Sequence, residues 1–448
     1  MNILLISPNT LTVPYPVYPI GLDYVAGSVS KAHQVRIADM NVETYESLGR
    51  ILKEFAPDII GVSCRNIDNT DAGDSLFCVN EYRDVIAWLR RHSNACIVCG
   101  GSGFTILPES VFDKLGADYG VIGEGERFGL LVEALSEGRN VTEIPGIISK
   151  FSSSSTPQPW SGVLNRDFRT DSAHNQFYMK RGGVFNLQTK RGCTFNCIYC
   201  PYPHIEGRRH RLSEPGAVAE TAISLQKAGA KYLFITDSAF NSDLEHSLAV
   251  AKAFKSAGLS TPWGAFFAPI KHPENYFRTM AEAGLTHVEF GTESLSDLML
   301  TSYHKPFRAN DVFKAHNEAV EAGLHVAHYF LLGGPGESAA TVNDCLDKIE
   351  GLNKTVLFFF LGIRIYPHTQ LYDIALAEGK ISSSMEMLEP VFYAPDAISL
   401  DEINELVQQR AGQRINWIFG SGGTESSAVV SRMHEKGYVG PLWEYLVR

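Results

Sequence analysis

Short apolar runs alternate with amphipathic segments along almost the whole chain, and no other feature restricts its fold as much. In residues 1–150 the runs fall at 2–7, 34–39, 59–63, 96–100, 119–122 and 146–149, with helical patterns at 45–55 and 80–91 between them. Parallel neighbours need a crossover and the usual crossover is a helix, so this alternation predicts a parallel sheet covered on both faces. Ligands of such sheets bind outside the carboxyl ends of the strands.

The alternation resumes near residue 183, with runs at 185–190, 232–236, 263–267, 287–291, 325–332 and 356–365. Six βα units fall short of the eight of a closed barrel. The predicted fold class is therefore α/β: an N-terminal Rossmann-like doubly wound parallel sheet (1–150), then a partial (βα)6 TIM-like barrel (181–380). The Ser- and Pro-bearing stretch 151–180 reads as a linker. Residues 381–448 read as a C-terminal helical segment, with a helix over 401–418, that helps close the cavity. A chain of 448 residues agrees with more than one domain.

The formal net charge of −11 is spread along the chain and supplies no basic face, which argues against a nucleic-acid partner. The opening segment MNILLISPNT lacks the basic start and long apolar core of a signal peptide and reads as a first strand. The longest apolar stretch, 356–363, is strand-sized, so no membrane span is expected. Eight cysteines are too few for a disulfide scaffold; a cytoplasmic chain with reduced thiols is expected. Cys96 and Cys99 sit on an apolar strand and read as core thiols.

Small and polar residues collect after the first-half strands, at Ser63-Cys64-Arg65-Asn66, Gly100-Gly101-Ser102-Gly103 and Gly123-Glu124-Gly125-Glu126. Glycine there lets backbone approach a ligand, and together these loops suggest a cofactor lying across the sheet edge. The run Arg65–Asn69 reads equally as a capped turn or as hydrogen-bonding groups for that cofactor. Glu124 reads as a helix cap or as a cofactor contact. In the second half, Tyr329, Arg364 and Tyr366 are strand-end candidates for lining a substrate cavity. His325 and His328 face opposite sides of one strand and read as core residues.

One cluster carries chemistry outright. Cys193, Cys197 and Cys200 form C-x3-C-x2-C directly after a strand. Three thiolates in eight residues can ligate three irons of a cubane and leave the fourth open. A structural zinc site is the alternative, and it wants a fourth ligand such as His204 or His210.

With Tyr199 at the aromatic position, C-x3-C-x-aromatic-C after the first barrel strand resembles the radical S-adenosylmethionine (SAM) superfamily. The resemblance extends through Thr236–Asn241, Gly291-Thr292-Glu293-Ser294, Gly333-Gly334-Pro335-Gly336-Glu337 and Ile365–Tyr372. It implies a 4Fe-4S cluster on the three cysteines whose open iron chelates SAM, and one-electron cleavage to a 5′-deoxyadenosyl radical. It also implies cofactor-binding roles: Asp237 for the methionine amino group, Glu293 for the ribose, Gly334, Gly336 and Tyr199 for adenine. The usual Gly-Gly-Glu after the second strand is absent, so Asp237 enters as a stand-in.

The first half resembles the cobalamin-binding domain of the cobalamin-dependent subclass, through Tyr18–Leu22, Ile60–Ser63, Gly100–Phe104 with Pro108, and Gly123–Glu126. Ser63, Arg65, Asn66, Gly100, Gly101, Gly103, Gly123 and Glu124 are the residues it implies for cobalamin. The Asp-x-His-x-x-Gly signature that supplies a lower cobalt ligand is missing, since Ser7-Pro8-Asn9-Thr10 follows the first strand. The resemblance implies methylation of an unactivated carbon of a small metabolite, with electrons from an external donor such as flavodoxin or ferredoxin. A radical cyclisation or rearrangement without methyl donation is the alternative.

Overall fold

A computed structural model describes residues 1–12, 15–152, 158–169, 172–420 and 423–447. The first sheet holds β1 (Asn2–Ser7), β2 (Gln34–Asp39), β3 (Ile59–Ser63), β4 (Cys96–Gly100), β5 (Tyr119–Val121) and β6 (Ile147–Ser149), in the order β2-β1-β3-β4-β5-β6. Strands β1 to β5 run parallel. The wholly parallel sheet expected needs one correction: β6 pairs antiparallel with β5. An edge strand has a single neighbour, which makes such mixed edges common.

Side chains alternate across the buried strands. Ile3 and Leu5 pack with Leu22 and Phe128 on one face, while Leu4 and Ile6 pack with Leu48 and Ile86 on the other. Burial on both faces explains why these strands read as continuous apolar runs. Strand order reverses between β1 and β3, which opens a crevice at their carboxyl ends.

The second sheet runs β13-β12-β11-β10-β9-β8-β7, parallel throughout and open at both edges. Its strands are β7 (Val184–Leu187), β8 (Tyr232–Ile235), β9 (Trp263–Phe267), β10 (Leu285–Glu293), β11 (His325–Leu332), β12 (Thr355–Leu361) and β13 (Trp417–Phe419). Seven strands stand where six were expected. The helix anticipated over 401–418 stops at Ala411, because Gly412 turns the chain with φ 57° and releases it into β13. The long run at 356–365 breaks at Gly362, φ 74°. Beyond it, Ile363–Arg364 pairs with Phe392–Tyr393.

The long helices cover one face, and the short 3-10 turn Trp443–Leu446 packs on the other, over Ala327 and Val356. Leu233, Ile235, Trp263, Ala265 and Phe267 pack against the long helices. Tyr232 and Phe234, one residue out of phase, belong to a separate small cluster on the opposite face.

The stretch expected as a linker is bound to both domains. Arg166 pairs with Asp23 at 2.8 Å and donates to the Asn186 carbonyl, and helix Ala173–Lys180 anchors Tyr178 Oη on Asp39 at 2.7 Å. Ser153, Ser154, Ser155 and Pro157 of that stretch lie outside the described residues. Arg364 and Tyr366, expected in a substrate cavity, instead clamp Asp68 of the first domain at 2.8 and 3.3 Å. No helix among the described residues is long and apolar enough to cross a membrane.

Candidate active site

The cysteine loop starts where only glycine fits. Gly192 has φ 86°, and a Cβ there would strike the Arg209 carbonyl. Just before it, Lys190–Arg191 pairs with Arg211–Leu212. The loop is then pinned by Ile198, which packs with Tyr303, Ile363 and Leu371 and exchanges backbone hydrogen bonds with Tyr303 and Leu371. Cys193 is buried, Cys197 and Cys200 are half-buried, and all three are free thiols.

Among the described residues no three donors converge tightly enough for a single ion. A zinc site needs four that do. A cubane takes its thiolates on separate irons, so the three cysteines fit a cluster and not zinc.

Beside the loop stands a polar group that no motif announced. Lys305 Nζ lies 3.7 Å from Cys197 Sγ, 3.2 Å from Tyr199 Oη and 3.2 Å from Glu293 Oε1, and Tyr199 donates to Glu293 at 2.8 Å. Burial works against the ammonium, yet Glu293 and Cys197 hold it above its ordinary range. Glu293 ends β10 with φ 64°, a conformation non-glycine residues rarely keep outside functional sites. A lone lysine after a one-and-a-half-turn helix carries no spacing signal, which is why sequence reading passed over Lys305.

Two expectations change. Asp237 is fully buried and spent inside the protein: it accepts from Thr189 and Lys190, and Lys190 Nζ also donates to the carbonyls of Ala239 and Phe240. No oxygen of it is left free to face an amino group, and its effect is to fix the strand end that leads into the cysteine loop. Gly334 is required by the protein itself, since a Cβ there would strike the Tyr303 ring, whose hydroxyl accepts from the Gly334 N–H. Gly336 has φ 87° and open space where a side chain would point.

In the first domain, Ser63, Arg65, Asn66, Gly100, Gly101, Gly123 and Glu124 line one cavity of about 480 Å³. It lies at the crevice between β1 and β3, reaches across to Tyr202 and Glu206 beside the cysteine loop, and dives into an apolar slot formed by Leu5, Leu22, Val98 and Phe128. The glycines serve loop packing as much as any ligand. Cβ atoms on Gly101 and Gly103 would come within 2.8 Å of the Cys64 carbonyl and 2.7 Å of the Asn66 backbone. Gly103 does not line the cavity.

Arg65 bonds Asn66 at 3.2 Å and leaves a buried guanidinium nitrogen without a partner. An orphaned cationic donor above an apolar slot fits a ligand with polar amides outside and a planar base beneath, as cobalamin has. No histidine lines the cavity, so none stands ready as a lower cobalt ligand.

Glu124 caps no helix. Arg191, two residues before Cys193, pairs with Glu124 and Glu126 at 2.7 Å each, and Arg211 reaches Glu124 at 2.7 Å. Burial opposes ionisation of Glu124, but Arg211 and Arg191 outweigh it and hold its carboxyl below the ordinary range. The loop after β5 and the approach to the cysteine loop are thus one ionic latch.

Residues 6–130 match the B12 binding domain and residues 187–349 the Radical SAM superfamily. The chain carries a B12-binding domain followed by a radical SAM domain. The chain is 29% identical over 393 residues to the uncharacterized methyltransferase PH0819 of Pyrococcus horikoshii, covering 84% of this chain and 83% of that one. It is 26% identical to the tryptophan 2-C-methyltransferase of Streptomyces laurentii, over 83% of this chain and 74% of that one. Its fold matches the radical SAM methyltransferase TsrM of Kitasatospora setae with a TM-score of 0.86 at 23% identity, covering 99% and 97% of the two chains. The cobalamin-dependent radical enzyme OxsB matches with a TM-score of 0.73 at 16% identity, covering 91% and 66%.

Proposed function

We propose that this protein is a cobalamin-dependent radical SAM C-methyltransferase acting on a small molecule. What supports the reading is one cavity with two walls: the strand ends of the B12-binding domain on one side and Arg191, Tyr202 and Glu206, which flank the cysteine loop, on the other, joined by the Arg191–Glu124–Glu126 latch. Cys193, Cys197 and Cys200 hold the cluster. Tyr199 and Glu293, braced by Lys305, receive SAM with the Gly334–Gly336 turn. Ser63, Arg65, Asn66, Gly100, Gly101, Gly123 and Glu124 border cobalamin.

Bound there, the three groups supply one-electron cleavage of SAM and a methyl group for a substrate carbon. The chain's own residues align them and keep water out. Asp237 positions the strand end through Thr189 and Lys190, while Arg364, Tyr366 and Asp68 lock the second domain against the first. Electrons come from an external donor such as flavodoxin or ferredoxin, in the reducing cytoplasm where the free thiols persist.

Anaerobic incubation of the reconstituted chain with cobalamin, reductant and SAM tests this. S-adenosylhomocysteine should accumulate, at least one per chain. Cleavage of SAM without it would leave cyclisation or rearrangement, chemistry that uses no methyl donor.

A further inference from the structure

The face of the second sheet opposite its long helices, which carries Tyr15 and the turn Trp443–Leu446, holds a group the assigned roles do not use. Glu289 on β10 is 2% exposed, and it accepts from Tyr329 Oη at 2.8 Å and from Trp443 Nε1 at 3.0 Å. Among the described residues no lysine or arginine pairs with it; the basic side chain beside it is His287, which itself lies 3.3 Å from Glu444. Each carboxylate oxygen accepts one hydrogen bond and keeps a lone pair. A buried carboxyl with no fixed cation is driven towards its neutral form, and an arriving cation would let it ionise. Burial indeed pushes Glu289 above the ordinary carboxylate range.

Its partner in register on β9 is Phe266. Trp263, Ala265 and Phe267 of that strand are at most 1% exposed, yet Phe266, on the opposite face, is 38% exposed. Its ring meets Phe234 at 5.1 Å and Tyr329 at 6.0 Å, and Tyr329 stacks on Phe358 at 4.7 Å with the rings 8° from parallel. An exposed aromatic surface with a buried acid in its floor is a binding site for a flat apolar body bearing a donor.

We propose that this face holds the substrate, an aromatic amine whose ring lies against Phe266 and Tyr329 and whose ammonium donates to Glu289. The assignment rests on the methyltransferase reading for its meaning as a substrate site, but the binding itself does not. Trp443, from the C-terminal turn, and Tyr329 keep the carboxylate aimed, so Glu289 is the anchor and the rings are the walls.

Binding to the reconstituted full chain decides it, with three probes: phenethylamine, its uncharged isostere 2-phenylethanol, and hexylamine. Phenethylamine should bind best, and each of the others about tenfold or more weaker, since each lacks the charge-assisted bond or the ring. Glu289→Gln should lose about tenfold for phenethylamine and nothing for 2-phenylethanol. Phe266→Ala removes an already exposed ring, leaves the fold intact and should weaken both aromatic probes. Hexylamine binding as tightly as phenethylamine, no binding by either ring probe, or an unaffected Glu289→Gln variant would overturn the proposal. S-adenosylhomocysteine formed with no probe present reads the methyltransferase assignment separately, so either can fail alone.

Discussion

The two sheets of this chain offer ligands different parts of themselves. The first is covered by helices on both faces and has only its edge to give, at Ser63, Gly100 and Gly123. The second has its long helices on one face and leaves aromatic side chains such as Phe266 partly open on the other, with the cysteine loop beyond its first strand. At the edge, recognition falls to backbone and shape. At the cysteine loop it falls to side chains whose identity is the chemistry. The buried latch through Arg191 lets one sheet position the other.

The sharpest way to break this division is Cys197→Ala. Iron should fall from about four per chain to below one, because a cubane needs all three thiolates, while cobalt stays. Metal analysis showing loss of both would mean the two sites are not separate. Next comes Arg191→Ala, which strands Glu126 as a buried, unpaired charge and leaves Glu124 to Arg211 alone, at a cost of about 3–5 kcal/mol. Thermal denaturation should show the lower melting temperature, and cobalt should be retained poorly. An unchanged melting curve would mean the domains hold together without the latch.

Acid should act on the second domain by a different route. His328 and His316 form a buried chain from Thr292, with bonds of 2.7 and 3.0 Å. Burial lowers His316 from 6.5 to about 4, and His328 is lowered too. The unfolded chain therefore takes up protons that the folded one refuses. The stability from His316 is complete above pH 6.5 and drains away towards pH 4, for a loss approaching about 3 kcal/mol. Melting curves between pH 7 and 4.5 test this, and His316→Gln should flatten the slope. The smallest effect expected is that of Lys305→Met: iron retained, SAM cleavage slower by about tenfold as one charge-assisted contact is lost. An unchanged cleavage rate would remove Lys305 from the site.

The same contrast decided what could be read from the sequence. The cysteine cluster was legible because three thiols at fixed spacing after a strand have few other uses. Most strands were legible through their apolar runs. The reach of β13 was not, since three residues after Gly412 are too short for a pattern. The fate of acids and glycines was not either: Asp237 and Gly103 stand where ligand contacts were expected but are taken up inside the protein, and Glu124 and Gly334 are held by partners distant in sequence as well. Lys190, Arg191 and Tyr303 are such partners, and only the folded chain brings them together. Arg364 and Tyr366 went the same way, to Asp68 nearly 300 residues off.

The central claim is that one chain holds a cluster and a corrinoid on its two sheets. Anaerobic purification with hydroxocobalamin, reconstitution with iron and sulfide, and metal analysis of what stays bound test it directly. About four irons and one cobalt per chain are predicted. Iron without cobalt would contradict the account and leave the first sheet a scaffold with no cofactor of its own.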